Sequence, residues 1–301
     1  MNDFISLISE DHENIFFITG ERDGRYPFSN SLLIEECLFD TGISDRRVRK
    51  LRKQYPINKV FLSHWHEDHI AGNNMLENAK FYCHPNDKHI IEDIKKMDEF
   101  YGIIDTPVEN LYDGLYKMLN MVNTSIESVF NDDEIISIGD DLQVKVIHTP
   151  GHSAGHCCFL ELNSKIAFLS DIDLTSFGPW YAGIDSSVID FEESIKKLMK
   201  LDIEFAITSH KGLFTGSRVI KDKLNDYLSK IHERDDLILA GLSETTPKNA
   251  EDLGNKNIIY KFYGVFKEYE IIAEKIMIHY HLNKFLDKKL VEPIEKGYIL
   301  L

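Results

Sequence analysis

The six residues His64-Trp65-His66-Glu67-Asp68-His69 follow the short apolar segment Val60-Phe61-Leu62 after the single residue Ser63. This junction constrains the fold more than any other part of the sequence. An extended chain puts residues i and i+2 on one side, so His64 and His66 can point at one spot. If the chain then turns into a helix, Asp68 and His69 face a second spot nearby. Imidazole nitrogens and carboxylate oxygens form a donor set that suits zinc, with manganese or iron as further options. A solvated polar turn is the bland alternative, and it does not explain so dense a set of donors at a strand end.

The same placement recurs along the chain. His152 lies in Thr149-Pro150-Gly151-His152-Ser153-Ala154-Gly155-His156, after the alternating residues Leu142, Val144 and Val146. Asp171 follows Ala167-Phe168-Leu169-Ser170, His210 follows Ala206-Ile207-Thr208-Ser209, and Asp40 follows Cys37-Leu38-Phe39. Taken singly, each is as well read as a cap or a turn residue. Together they mark the carboxyl ends of strands, where α/β folds gather their active sites.

Composition sets the outer limits. The chain has 301 residues, 43% hydrophobic and 28% charged, enough for one large domain or a large domain with an appendage. Its 34 basic and 50 acidic residues give a net charge of −16, which disfavours nucleic acid as a partner. No apolar run is long enough for a membrane span, and Met1-Asn2-Asp3-Phe4 does not open a signal peptide. Cys37, Cys83, Cys157 and Cys158 form no CxxC pair and read as reduced, buried thiols of a cytoplasmic protein.

Strands are expected at Ile15 to Ile18, Ser31 to Ile34, Cys37 to Phe39, Val60 to Leu62, Leu142 to Val146, Cys157 to Leu162, Ile166 to Leu169 and Phe205 to Thr208. A helix is expected from Asp190, with Glu193 completing a capping box and Phe191, Ile195, Leu198 and Met199 on its apolar face. Strands mixed with helices in this order give an α/β layered core. Between about 86 and 131, Met97, Phe100, Tyr101, Leu115, Met118, Leu119 and Met121 have helical spacing. That segment reads as a helical insertion packed on the core, or as a lid or homodimer contact. From about 219 the chain is mainly helical, with a short strand at Gly297-Tyr298-Ile299-Leu300.

The ordered set of candidates resembles the metallo-β-lactamase superfamily, and within it the hydroxyacylglutathione hydrolase-like branch. Its HxHxDH run is matched by His64, His66, Asp68 and His69; its glycine-preceded His by His152; its later Asp by Asp171; its final His by His210. Asp40-Thr41-Gly42 matches the family's Asp-Thr-Gly turn, and the likeness covers about residues 13 to 215. It implies a four-layer αββα sandwich over residues 1–218, with the 86–131 insertion, and a mainly helical, winged-helix-like extension over 219–301.

The resemblance also implies two metal sites. His64, His66 and His152 would hold one ion, Asp68, His69 and His210 the other, and Asp171 would bridge them. Asp171 and Asp68 would then be the catalytic carboxylates, Asp68 also as a proton shuttle. A hydroxide held between two zinc ions would attack a small ester, thioester, lactone or phosphodiester. Asp40 would orient a ligand from behind. Di-iron flavoproteins of the superfamily carry Glu where this chain has His66, which favours zinc and hydrolysis. Iron or manganese remain options. A mononuclear iron persulfide dioxygenase and a non-catalytic metal-binding scaffold are the alternative functions. In some relatives a similar tail accompanies nuclease activity, which the acidic balance here argues against.

Some residues depart from the pattern or lie beside it. Ser170 stands where many relatives have Gly, and Asp173 adds a carboxylate that either tunes the site or caps a turn. His156 reads as a structural hydrogen-bonding residue beside the site. Phe177, Trp180 and Tyr181 are candidate pocket walls, and Lys211 a candidate contact for an anionic substrate. Selectivity is expected in the loops around 86–131 and 174–188.

Overall fold

The computed structural model describes residues 3–301, and its frame is a pair of sheets laid face to face. The first sheet has β1 (Ile5–Leu7), β2 (Ile15–Ile18), β3 (Ser31–Ile34), β4 (Cys37–Phe39), β5 (Lys59–Phe61), β6 (Lys80–Cys83) and β7 (Ile126–Val129) in sequential order. It is antiparallel from β1 to β4 and parallel from β4 to β7. The second sheet is built from β8 (Ile135–Ile138), β9 (Leu142–His148), β10 (Cys157–Glu161), β11 (Ile166–Ser170), β12 (Phe205–Thr208) and β13 (Gly212–Thr215), and runs β13-β12-β11-β10-β9-β8. Only its β11–β12 pair is parallel.

The two-residue period of a strand decides which side chain goes where. Leu32, Ile34, Phe39 and Phe61 of the first sheet share a core with Val144, Val146, Phe159, Phe168 and Ile207 of the second. The rings of Phe39 and Phe159 stand 4.9 Å apart across that interface. Their neighbours in sequence turn outward. Leu33, Leu38 and Val60 join Val48 and Leu51 of the helix Asp45–Leu51, and Cys158, Leu160, Ala167 and Ala206 join Phe191, Ile195 and Leu198 of the helix Val188–Leu198. Burying one such side chain stabilises by ~1.5–3 kcal/mol, so a slip of one residue would cost far more than any loop can return. This is the expected αββα layering.

Three boundaries differ from expectation. The helix expected from Asp190 starts at Val188, because Ser187 is the cap: its hydroxyl accepts the Asp190 amide at 3.2 Å. The segment from 86 to 131 is helical over Pro85–Ile91, Met97–Phe100 and Glu109–Met118, yet it ends in β7, which extends the first sheet beside β6. Its last residues therefore belong to the core. β5 ends at Phe61, so Leu62 and Ser63 form the step to the histidines.

The C-terminal extension has the helices Ser217–Gly241, Ala250–Gly254 and Lys267–Asp287, then the hairpin β14 (Val291–Ile294) and β15 (Gly297–Leu300). It shares one buried cluster with the sandwich, in which Leu224, Ile231, Ile278 and Leu282 lie with Phe191 and Ile195. A buried ion network fastens the same interface: Lys284 Nζ reaches Glu192 at 2.7 Å and Asp235 at 2.5 Å. Among the described residues no helix is long and apolar enough to cross a membrane. The four cysteines are buried free thiols.

Candidate metal centre

The candidates converge at the carboxyl ends of β4, β5, β9, β11 and β12. Backbone contacts set their positions first. The turn Asp40-Thr41-Gly42 lies directly against the short helix Glu67–Ile70: Thr41 N donates to His69 O at 2.8 Å, and Ser29 Oγ donates to Asp68 O at 2.8 Å. A Cβ on Gly42 would stand 1.5 Å from the Asp68 carbonyl oxygen, so no other residue fits that contact. Ser170 sits at φ 51°, a left-handed conformation in which glycine is the easier residue.

His64, His66 and His152 form the first cluster. His64 Nε2 and His66 Nδ1 are 3.0 Å apart, and His152 Nε2 lies 2.9 Å from His66 Nδ1 and 3.2 Å from His64 Nε2. A tetrahedral ion with metal–nitrogen bonds of ~2.0–2.1 Å has ligand edges of ~3.3 Å, close to this triangle. Burial, then the neighbouring imidazoles, push His64 and His66 well below the ordinary histidine range, so their nitrogens are neutral donors.

Asp68, His69 and His210 form the second cluster, with His210 Nε2 3.3 Å and His69 Nε2 3.8 Å from Asp68 Oδ2. Asp171 faces both clusters. Its Oδ2 lies 3.2 Å from His152 Nε2, and its Oδ1 lies 2.9 Å from His69 Nε2. Burial disfavours a protonated His69, but the carboxylates of Asp171, Asp68 and Asp40 outweigh it and raise that histidine well above its usual range. His210 goes the same way, up to about 10: burial is overcome by Asp173, Asp171 and Asp68. The second cluster demands positive charge, which protons or a divalent ion can supply. His69 Nε2 and Asp171 Oδ1 are buried and lack hydrogen-bond geometry with any partner. Donor chemistry, spacing and these two unsatisfied atoms all fit divalent metal.

The outer nitrogens are tied down from behind. His69 Nδ1 donates to Asp40 Oδ2 at 2.7 Å, while the same carboxylate accepts Ser63 N at 2.7 Å and Ser63 Oγ at 2.6 Å. His64 Nδ1 meets Ser63 Oγ at 2.9 Å, His152 Nδ1 donates to Trp180 O at 2.9 Å, and His210 Nδ1 donates to Gly24 O at 2.6 Å. These bonds leave the inner nitrogens of His64, His69, His152 and His210 free as donors. His66 differs, for its outer Nε2 has no partner and its ring stacks on Tyr101 at 5.3 Å. Two acids support the ligand loops: buried Asp87 accepts Trp65 N and Ser153 Oγ, and half-buried Asp185 accepts Trp65 Nε1 and Ala154 N.

The residues beside the pattern separate cleanly. His156 joins neither cluster; its Nδ1 meets Thr149 Oγ1 at 2.9 Å and its Nε2 accepts the Asp171 amide at 3.3 Å. Asp173 accepts the His210 amide at 2.8 Å and also faces the pocket. Trp180 lines the pocket, as expected. Tyr181 is instead buried behind it, bonded to His281 and Arg234, and Phe177 packs on Tyr260 at 5.1 Å. Lys211 is exposed and does not line the pocket.

The pocket in front of the clusters has a volume of about 250 Å³. Tyr26, Tyr101, Tyr112 and Tyr269 help to wall it, together with Phe266 and Glu270. Of these, the sequence marks only Tyr101, as part of the helically spaced segment read as an insertion or a lid, and the others share no spacing that flags them as wall residues. Glu67 was visible inside the run but given no role. It is buried, accepts hydrogen bonds from the Tyr26 and Tyr101 hydroxyls, and is pushed up to about 7 by burial and then by Asp68.

A family model described as the metallo-beta-lactamase superfamily matches residues 25–210. The atrochrysone carboxyl ACP thioesterase of Pseudocercospora fijiensis is 21% identical over 232 residues, 77% of this chain and 54% of that protein. The hydroxyacylglutathione hydrolase of Rhizobium etli is 27% identical over 157 residues, 52% of this chain and 48% of that protein. The chain thus spans about half the length of these two relatives. The crystal structure of a metallo-beta-lactamase family protein from Thermus thermophilus superposes with a TM-score of 0.72 at 17% identity, over 96% of this chain and 99% of that one. With the family model covering well over half of the sequence and the sandwich matching throughout, the chain belongs to the metallo-beta-lactamase superfamily.

Proposed function

We propose that the protein is a dinuclear zinc hydrolase acting on a small thioester. The observation that carries this reading is Asp171, whose two oxygens face two separate donor clusters, at 3.2 Å and 2.9 Å from one histidine of each. His64, His66 and His152 would hold one ion; Asp68, His69 and His210 the other; Asp171 would lie between. Two such ions supply an activated water and polarise the carbonyl to be attacked. The absence of Glu at position 66 favours zinc over the di-iron arrangement. Of the ester classes that such a site can open, the names of the two relatives favour an acyl group on a carrier thiol.

The chain's own groups do the rest. Asp40 fixes the His69 tautomer, and the Trp180 carbonyl does the same for His152. The tyrosine wall keeps bulk water from the clusters. Asp68 faces the pocket and is the carboxylate placed to pass a proton to the departing thiolate. The four unpaired, buried thiols suit a reducing compartment, and we assign the protein to the cytoplasm. A homodimer through the helical insertion would cover Ile104, Leu111, Met118 and Val122, which are exposed.

Protein purified without added metal should carry close to two equivalents of zinc and hydrolyse neutral thioesters. His66→Ala should lose at least one equivalent and on the order of 10³-fold in kcat. Less than one equivalent of any transition metal in the unaltered protein, or full activity in the variant, would defeat the assignment.

A further inference from the structure

The turn after β11 carries one carboxylate more than the two donor clusters account for. Ser170 and Leu174 both take left-handed backbone, at φ 51° and φ 56°, a conformation that non-glycine residues keep only where their surroundings hold it. Here the turn is pinned from three sides. Asp171 N donates to His156 Nε2 at 3.3 Å, Ile172 N to Leu169 O at 3.1 Å, and Tyr227 Oη to Asp171 O at 3.2 Å. Ile172 is buried in the apolar cluster, and its two neighbours, Asp171 and Asp173, line the cavity.

Asp173 stands at the second cluster. Asp171, Asp173 and His210 each bring one donor atom within 4.8 Å of the others, and His210 is also grouped with Asp68 and His69. Asp173 is only 9% exposed, yet it reaches the cavity. Among the described residues its one hydrogen bond comes from the His210 amide, 2.8 Å from Oδ1, which leaves Oδ2 without a protein partner. No lysine or arginine lines the cavity. The charge of a carboxylate so enclosed has to be met by a cation. The second ion, the partner that buried His69 Nε2 and Asp171 Oδ1 also lack, would meet it. Holding the His210 amide does not compete with this, because a carboxylate has ~four acceptor positions.

Resting on the two-metal reading, we propose that Asp173 is itself a ligand of the second ion, and that this site discriminates less between zinc and manganese than the first. The first site offers the imidazoles of His64, His66 and His152 with one oxygen of Asp171. The second then offers the imidazoles of His69 and His210 with oxygens from Asp68, Asp171 and Asp173. Imidazole nitrogen suits zinc, whereas carboxylate oxygen in a higher coordination number suits manganese. The two ions therefore sit in unlike surroundings, and the extra carboxylate on one side sets the difference.

The test reads metal binding and not turnover. Metal-free protein is given one equivalent of zinc and titrated with Mn2+, the unbound ion being followed by its EPR signal. The unaltered protein should bind one equivalent of manganese and keep its zinc. Asp173→Asn leaves an oxygen for the His210 amide but removes the charge, and Asp173→Ala removes both. Each should weaken manganese binding about tenfold or more, with the zinc retained. Manganese bound by Asp173→Asn as tightly as by the unaltered protein would overturn the proposal, since the carboxylate would then only hold the His210 backbone. In protein carrying two zinc equivalents, Mn2+ should displace one at an excess about tenfold lower than the other. Release of both together would overturn the difference between the sites. Crystals of the unaltered protein soaked in Mn2+ need no variant: anomalous density within bonding distance of the Asp173 carboxylate is expected, and a carboxylate turned off the ion overturns the assignment. If a second ion binds without regard to Asp173, the two-metal reading stands and this proposal alone fails. If no second ion of either metal binds, the two-metal reading fails and takes the proposal with it.

Discussion

The pocket has two walls of opposite origin. The donor wall comes from strand ends between Asp40 and His210, and its members are locked by backbone and carboxylate contacts behind them. The aromatic wall is gathered from Tyr26, the insertion, the loop at Trp180 and the C-terminal helices. On the proposed reading the first wall sets reactivity and the second sets what is admitted. Chemistry and selectivity would then be separable in this molecule, and the separation can be attacked by experiment.

The largest effect is expected from Asp40→Asn, which touches only the donor wall. An amide cannot serve the His69 Nδ1–H and both Ser63 donors as the carboxylate does. Zinc affinity measured by chelator competition should fall by ~10–100-fold, with KM for the residual activity little changed. A KM change as large as the affinity change would join the two walls after all.

Arg234→Gln should act mainly on the aromatic wall. The buried guanidinium donates to the carbonyls of Phe177 and Pro179 and to Tyr181 Oη, and so supports the loop that presents Trp180. Urea unfolding should show a loss of ~1–3 kcal/mol from the carbonyls left unpaired. KM should rise while zinc content is retained. Loss of zinc would mean that the Trp180 carbonyl cannot hold His152 without this support.

The smallest effect concerns the acid pair behind the donor wall. Burial, then the charge of Asp185, raises Asp87 well above the ordinary carboxylate range. The unfolded chain gives up that proton near the usual value of ~3.9, so above it the folded state binds more protons. This group's contribution is therefore present at low pH and is lost as pH rises through the folded value. Asp87→Asn should flatten the fall in stability as pH rises above about 4. An unchanged slope would mean that Asp87 is ionised in the folded protein throughout that range.

The sequence reveals the donor wall and hides the aromatic one for a physical reason. His64 to His69 are neighbours in the chain, and each other donor follows a strand that is plain in the sequence as an apolar run or an alternation. Tyr112 and Tyr269 touch only because the insertion and a C-terminal helix pack together, a relation that no local period encodes. β7 escaped notice because Glu127 and Ser128, between its two apolar ends, are exposed. Asp190 reads as a cap in the sequence because it is the residue whose amide the true cap, Ser187, binds.

The order of the walls along the chain has a consequence for how such a protein is made and how it diverges. Synthesised from its N-terminus, the polypeptide has every donor in place by His210, while Tyr260, Phe266, Tyr269 and Glu270 are still to be added. On the proposed reading, the last third would act as an editable reading head. Substitutions there would redirect the protein to new guests over generations and leave the reactive machinery intact.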